Sequence, residues 1–152
     1  MVQDSSKTGI EKRFLGSTDM CVSRVGFGGN KISGSVGIDI GQLLNQALDA
    51  GVNVIDTAEC YGESEELIGR TVSHRRSDYY LFTKCGHADG FDLPNWHPNL
   101  IEQSIERSLK RLRTDYLDLV QLHTCSQQVF KQSEIIEVLQ RVRKAGKVRY
   151  IG

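Results

Sequence analysis

Residues Gly51–Gly69 read GVNVIDTAECYGESEELIG and join a strand pattern to a helical one. Val52–Ile55 is apolar and β-branched apart from one asparagine, a composition that favours a strand. Ser64–Val72 carries apolar residues at helical spacing and begins with a residue type common at helix starts. The segment therefore predicts a strand, a loop that carries polar residues and a helix, which together form the repeating unit of α/β folds.

The same unit recurs on both sides of this segment. Further strands are predicted at Val25–Phe27, Tyr79–Phe82, Tyr116–Leu122 and Val148–Ile151. Three further helices are predicted from apolar residues at helical spacing. The first has Leu43, Leu44, Ala47 and Leu48 and ends before Gly51, and the second has Ile101, Ile105, Leu109 and Leu112 and begins at Pro98. The third has Ile135, Leu139 and Val142, with a predicted N-cap at Ser133 and with Gly146 just after its end. Alternation of this kind predicts parallel strands with helices packed outside them.

Ahead of these units, Lys12–Val22 contains the turn-like Gly16–Asp19 and predicts a small hairpin. Residues 1–12 are expected to be flexible, as chain termini often are. The length and composition of the chain, with 39% hydrophobic and 25% charged residues, predict a single domain over residues 1–152.

Charge and hydropathy exclude several function classes. Lys plus Arg and Asp plus Glu number 19 each, so no excess charge attracts nucleic acid or an anionic membrane surface. Met1–Ile10 lacks the apolar core of a signal peptide, and no segment is apolar enough to span a bilayer. A cytoplasmic protein with reduced cysteines is therefore expected.

Polar residues stand where consecutive predicted strands end. Asp56, Lys84 and His123 follow the second, third and fourth strands, and Tyr61 lies in the loop after Asp56. In parallel α/β folds this rim is where sites are built. A free phenol has a pKa of about 10, and a nearby ammonium held by a carboxylate eases its ionisation. The four residue types therefore suit proton transfer to a carbonyl oxygen during its reduction.

Several ordered motifs are similar to those of the aldo-keto reductase family of NADP-dependent oxidoreductases. Gly51–Gly69 resembles the family signature, which runs from G-x-N-x-x-D-T-A to a tyrosine and then to S-E-x-x-(I/L/V)-G. The other matching motifs are Phe82–Lys84, the S-L-x-R-L block in Ile105–Leu112, Asp115–Leu119 with His123, and Gly146–Gly152. The resemblance runs from about Phe14 to the last residue, and the order of the motifs makes it specific.

The resemblance implies a (β/α)8 TIM barrel. This chain would form an incomplete barrel of about four β/α units and the start of a fifth strand. Because a whole barrel takes about 250 residues, the chain is expected to be truncated, to bind NADP(H) weakly and to lack activity alone. Its open strand edge is expected to favour self-association.

The resemblance also assigns roles. Asp56 would hold the lysine, Lys84 would ease ionisation of Tyr61, Tyr61 would donate the proton and His123 would orient the carbonyl. The cofactor would be NADP(H), touched at its nicotinamide end by Gly29, Asn30 and Asp56. The substrate would be a small aldehyde or ketone, and no metal site is predicted.

Alternative functions depend on the same residues. A non-catalytic module is one, because the family's potassium-channel beta subunits serve as regulatory binding modules. Those subunits carry asparagine at the histidine position, whereas His123 is retained here. A metal-dependent hydrolase is less well supported, because Lys84 lies between Asp56 and His123 in the strand order. A dinucleotide turn at Gly26–Gly29 lacks the third glycine of G-x-G-x-x-G, since Lys31 stands there.

Three further groups have open interpretations. Cys60, Cys85 and Cys125 each follow a predicted site residue, so they form either tight-loop packing or, with His87 and His97, a metal or redox cluster. Arg107, Lys110, Arg111 and Arg113 are expected to form a solvated outer helix face. Trp96 either lines a substrate pocket or covers the barrel edge.

Overall fold

A computed structural model of the chain describes residues 9–32, 37 and 39–152. The predicted hairpin is present: β1 (Lys12–Phe14) pairs antiparallel with β2 (Cys21–Ser23). Its turn contains Gly16, whose φ of 55° lies in the left-handed region that favours glycine. The expected flexibility of residues 1–12 concerns residues 1–8, which lie outside the described residues, and Lys12 belongs to β1.

The main sheet is parallel and its strands follow chain order. Its five strands are β3 (Phe27–Gly28), β4 (Val54–Asp56), β5 (Tyr80–Cys85), β6 (Leu117–Leu122) and β7 (Val148–Ile151). Sequential parallel neighbours are what consecutive β/α units of a barrel produce. Within the described residues, β3 and β7 form the two edges of this sheet.

Four of the predicted strands were wrong in their bounds: the prediction at Val52–Ile55 is β4 (Val54–Asp56), the one at Tyr116–Leu122 begins one residue later, and β3 and β5 differ as follows. Val25 does not belong to β3, because the hydroxyl of Ser23 donates to the Val25 carbonyl oxygen at 2.7 Å in a bend, and Val25 is 59% exposed. β5 is longer than predicted, since its pairing with β6 continues through Lys84 and Cys85. Lys84 therefore lies within a hydrogen-bonded ladder, which restricts its backbone more than a loop would.

In the part of the chain that the structure describes, five α-helices connect these strands. They are α1 (Ile40–Asp49), α2 (Ser64–Val72), α3 (Pro98–Leu112), α4 (Gln127–Phe130) and α5 (Ser133–Lys144). Short 3-10 segments cover Gly29–Lys31 and Ser73–Asp78. The predicted starts at Ser64 and Pro98 are confirmed, but Ser133 is the first helical residue and Gln132 is the N-cap, so the predicted cap was wrong by one residue. α4 was not predicted, since four residues are too few to show helical periodicity.

The helices cover one face of the sheet. Along β5, Leu81, Thr83 and Cys85 are buried, whereas Tyr80, Phe82 and Lys84 are half-buried. Leu81 belongs to a core shared with apolar residues of α2, α3 and α5, including Ile68, Ile101, Ile105 and Leu139. Because side chains alternate along a strand, Lys84 points to the face opposite the helices.

The hairpin closes one end of the sheet. Asn53 accepts a hydrogen bond from the Ser23 amide at 2.6 Å and donates to the Cys21 carbonyl at 3.0 Å. The hydroxyl of Tyr80 accepts from the Cys21 amide at 3.1 Å. These contacts lie at the amino ends of β4 and β5, so the carboxyl ends of the strands remain uncovered by the hairpin. Within the described residues, no helix combines the length and apolar character needed to cross a bilayer.

Candidate functional site

Lys84 and Asp56 form the centre of the candidate site. The Lys84 amine donates to Asp56 Oδ2 at 2.7 Å and to the Thr57 carbonyl oxygen at 2.8 Å. The side chain of Lys84 is 17% exposed and that of Asp56 is 39% exposed. A partly buried ammonium needs such partners, because removing it from water costs more than a single neutral contact returns. The contact with Thr57 was not predicted, since a backbone acceptor leaves no signal in the sequence.

Tyr61 and His123 lie beside this ion pair. The Lys84 amine is 5.1 Å from the centre of the Tyr61 ring. The Tyr61 and His123 rings are 5.6 Å apart between centroids and meet edge to face at 80°. The structure thus brings together Asp56, Tyr61, Lys84 and His123 at one rim, as the positions of the strand ends predict.

Backbone pairing continues past the strand ends and fixes the rim. The Thr57 amide donates to the Phe82 carbonyl at 2.9 Å, and the Glu59 amide donates to the Lys84 carbonyl at 3.3 Å. On the next strand, the His123 amide donates to the Cys85 carbonyl at 2.9 Å. Asp56, Lys84 and His123 therefore lie in the sheet or in its direct extension, which holds side chains more firmly than a free loop does. Tyr61 lies in the turn after β4, where its amide donates to the Ala58 carbonyl at 3.0 Å.

Two buried carboxylates support the rim from the helix side, and the sequence interpretation missed both. Glu59 is 1% exposed, accepts from the Ser104 hydroxyl at 2.5 Å and forms an ion pair with Arg107. Glu65 is fully buried, accepts from the Thr83 hydroxyl at 2.7 Å and lies 3.7 Å from Arg111. Burial raises the pKa of Glu65, and the hydrogen bond from Thr83 opposes that shift.

The predicted solvated basic face was therefore wrong in part. The side chains of Arg107 and Arg111 are only 22% and 25% exposed and face the buried carboxylates. A buried carboxylate requires a countercharge, which an outer helix can supply by turning an arginine inward. Arg113 ends α3 in a left-handed conformation with a φ of 54°.

Of the residues in the alternative cluster interpretation, only Cys60 and His87 come together, and His123 joins them. Cys60 Sγ lies 3.2 Å from His123 Nδ1, and the His87 and His123 rings stack 4.5 Å apart. Cys85 is buried on the opposite face of β5, because it neighbours Lys84 in a strand. His97 instead caps α3, where its Nδ1 accepts from the Asn99 amide at 3.2 Å.

Burial governs the ionisation of this cluster. Desolvation raises the pKa of the Cys60 thiol. Desolvation also lowers the pKa of His123, and the charges of His87 and Lys84 lower it further. His123 is therefore neutral near pH 7, with one nitrogen able to donate and the other able to accept.

Trp96 contacts His87 and therefore lies next to this cluster. Its φ is 57°, its amide donates to the Gly86 carbonyl at 2.7 Å, and its ring meets the His87 ring edge to face at 5.9 Å. The indole nitrogen is buried and has no hydrogen-bond partner among the described residues. A left-handed tryptophan is strained, so the loop holds this ring in place.

The residues predicted to touch the cofactor differ in exposure. Gly29 is buried, and a Cβ on it would lie 2.7 Å from Ser64 Oγ and 3.1 Å from the Asp56 carbonyl oxygen. Asn30 is exposed in the following 3-10 turn, and Gly28 is in register with Asp56. An exposed amide and a partly exposed carboxylate at adjoining strand ends fit a carboxamide, which both donates and accepts hydrogen bonds.

Comparisons with known proteins agree with this architecture. Residues 24–152 match the family model described as the aldo/keto reductase family. The chain is similar to the uncharacterized oxidoreductase YqkF of Bacillus subtilis, with 36% identity over 151 residues that cover 94% of this chain and 48% of that protein. L-galactose dehydrogenase of Arabidopsis thaliana is 36% identical over 157 residues, covering 95% of this chain and 48% of that protein.

A solved structure extends the likeness to three dimensions. The holo form of the aldo-keto reductase AKR11C1 from Bacillus halodurans superposes with a TM-score of 0.81 at 33% identity, covering 94% of this chain and 49% of that chain. The chain spans about half the length of these relatives. Its parallel strands and outer helices correspond to an incomplete α/β barrel of this kind. The chain belongs to the aldo/keto reductase family.

Proposed function

We propose that this chain carries the acid-base centre of an NADP(H)-dependent reductase that converts an aldehyde or ketone to an alcohol. The observation that supports the proposal is the position of Lys84, whose amine contacts Asp56 at 2.7 Å and lies 5.1 Å from the Tyr61 ring centre. An ammonium anchored beside a phenol is suited to controlled proton transfer.

Tyr61 donates the proton. Its hydroxyl gives a proton to the carbonyl oxygen, and the resulting phenolate is stabilised by the Lys84 ammonium. Asp56 and the Thr57 carbonyl hold that ammonium in place. NADPH, when bound, supplies the hydride that the carbonyl carbon accepts, and water returns a proton to Tyr61 after the alcohol leaves.

His123 orients the carbonyl. The lowered pKa of His123 keeps the imidazole neutral, so it donates a hydrogen bond without competing as an acid. Its Nδ1 contacts Cys60, which leaves Nε2 for the substrate oxygen. Asn30 and Asp56 would hold the carboxamide of the cofactor, and the packing of Gly29 keeps the intervening backbone close to Asp56.

The experiment is a comparison of Tyr61→Phe with the unsubstituted protein in its complete expressed form. NADPH and NADH consumption are followed with a panel of aliphatic, aromatic and sugar aldehydes. L-galactose with NADP+ tests the reverse direction, because one relative is named as L-galactose dehydrogenase. We expect kcat to fall about 100-fold or more in Tyr61→Phe, since general acid catalysis contributes that much.

Tyr116→Phe is the matched control, because its ring packs against Arg76 and away from Lys84. The control should retain most of the activity, because the half-buried Tyr116 ring contacts Arg76 and lies away from the rim. Cofactor binding by fluorescence quenching is measured separately from turnover. A protein that binds no nicotinamide cofactor and reduces no member of the panel would contradict the proposal and favour the non-catalytic module.

A further inference from the structure

Two side chains at the rim that have no part in the proposed carbonyl reduction, Cys60 and His87, lie beside His123. Cys60, His87 and His123 come from the loops after β4, β5 and β6, and one ligand atom from each lies within 4.8 Å of the others. All three side chains are half-buried. Three strand ends thus place one sulfur and two imidazoles around a common point.

This set of donors has a defined metal preference. One thiolate with two imidazoles suits zinc, which binds sulfur and nitrogen in tetrahedral sites and can keep a fourth position open. Magnesium and calcium prefer oxygen ligands and would not compete well here. The donor set therefore separates zinc and its close analogues from the hard cations.

We propose that Cys60, His87 and His123 form a binding site for zinc, with the fourth position open to water or to a substrate oxygen. Binding forms one zinc–sulfur bond and two zinc–nitrogen bonds, and the thiol proton of Cys60 passes to solvent. No oxidant or reductant is involved, because zinc keeps its charge throughout.

The rearrangement that zinc binding requires falls mainly on His87. Zinc bond lengths of 2.0–2.3 Å place tetrahedral ligand atoms about 3.3–3.8 Å apart. Cys60 Sγ and His123 Nδ1 are already 3.2 Å apart. His87 has to approach and to turn out of its stack with His123, since the two rings now lie at 14° to each other. Its hydrogen bond with Thr124 Oγ1, at 3.0 Å, links it to the loop that carries His123.

The charge of Lys84 does not prevent binding. A cation beside zinc is unfavourable by itself, but Asp56 contacts the Lys84 amine at 2.7 Å and offsets its charge. The thiolate of Cys60 cancels a further charge of the zinc ion. Asp56 and the Cys60 thiolate therefore offset the positive charges of Lys84 and of the zinc ion.

Zinc bound at this site would regulate carbonyl reduction at the rim. Zinc bound at His123 Nδ1 would hold the imidazole to the metal, so that Nε2 could no longer turn to the carbonyl oxygen, and zinc should inhibit reduction reversibly. That consequence rests on the proposed function, whereas the binding site itself does not. A binding measurement on the chain therefore separates failure of one from failure of the other.

The test uses cobalt as a spectroscopic probe and zinc as its competitor. Cobalt is titrated into the reduced 152-residue chain, and absorption is recorded for a sulfur-to-cobalt charge-transfer band and for tetrahedral visible bands. We expect both sets of bands, a stoichiometry of one and complete displacement by zinc. Cys60→Ser should abolish the charge-transfer band, and His87→Asn should weaken zinc affinity by at least about 10–100-fold, the loss that follows from removing a group that only supports a metal ligand.

Cys125→Ser and His74→Asn are the matched controls, because each removes the same chemistry outside the cluster. Circular dichroism establishes that each variant is folded, and only folded variants are compared. Retention of the band in Cys60→Ser, its loss in Cys125→Ser, or absence of any charge-transfer band in the unsubstituted chain would overturn the assignment. Loss confined to Cys60→Ser with weakening in His87→Asn supports it, whether or not the protein reduces a carbonyl.

Discussion

Lys84 meets Asp56 diagonally across two strands. Asp56 is in register with Phe82, two residues before Lys84, yet the Lys84 amine reaches Asp56 Oδ2 at 2.7 Å. The lysine therefore leans back from its strand end over the end of β4, where the Thr57 carbonyl also accepts from it at 2.8 Å. This direction fixes the ammonium next to the Tyr61 ring rather than letting it extend into solvent.

Replacement of Asp56 should test whether that anchoring matters for turnover. Asp56→Asn keeps the shape of the side chain but removes the charge that holds the ammonium. We expect kcat for carbonyl reduction to fall about 10–100-fold, because a displaced cation no longer stabilises the phenolate. Steady-state kinetics measures the change, with Asp78→Asn as a control that breaks a pair with Arg75 on the surface. Equal losses in the two variants would argue against a role for the anchor.

Arg107 should contribute more to stability than its place on an outer helix suggests. Arg107→Met leaves the carboxylate of Glu59, which is 1% exposed, without its cation. We expect the free energy of unfolding to fall by about 2–3 kcal/mol, less than for a fully buried pair because Arg107 is partly solvated. Urea unfolding measures this. Lys110→Met on the same helix serves as the control and should change stability by about 0.5 kcal/mol or less. Equal effects of the two substitutions would show that the pair with Glu59 contributes little.

The sequence predicted the rim because its signals are local. A strand pattern that stops at Asp56, Lys84 or His123 places each residue at the same edge of a parallel sheet, and the helix starts at Ser64 and Pro98 fix the chain direction. The hairpin was likewise visible from its turn residues.

The sequence did not predict contacts that depend on how helices dock onto the sheet. Nothing near Glu59 in the sequence shows that Arg107, forty-eight positions away by residue number, supplies its countercharge. The approach of His87 to Cys60 and His123 depends in the same way on three separate loops. An S-L-x-R-L motif could have indicated that Arg111 has a fixed partner, but charge alternation on a helix more often marks a solvated face.

Gly29 should be required for packing at the end of β3. A Cβ there would lie 2.7 Å from Ser64 Oγ and 3.1 Å from both the Asp56 carbonyl oxygen and Thr57 Oγ1, so Gly29→Ala must displace the strand end or the start of α2. We expect a loss of about 1–3 kcal/mol in the free energy of unfolding, as for other overpacked sites. Gly28→Ala is the matched control, since a Cβ on Gly28 meets nothing within 4 Å. Comparable stability of the two variants in thermal and urea unfolding would show that the backbone at Gly29 yields without cost.

Glu65 should make stability depend on pH in an unusual direction for a carboxylate. Because burial raises the pKa of Glu65, the folded protein keeps its proton to a higher pH than the unfolded chain does. The stability that this group contributes is therefore fully present below the pKa of the unfolded chain and is lost as pH rises through the pKa of the folded state.

Glu65→Gln removes the titration and retains an oxygen that can accept from Thr83. We expect Glu65→Gln to gain stability relative to the unsubstituted protein as pH rises from about 4 to 8, measured by urea unfolding at each pH. Glu66→Gln is the neighbouring control for the loss of one charge from α2, because that side chain is 50% exposed. Parallel curves for Glu65→Gln and the unsubstituted protein would mean that Arg111 and Thr83 compensate fully for the burial of this carboxylate.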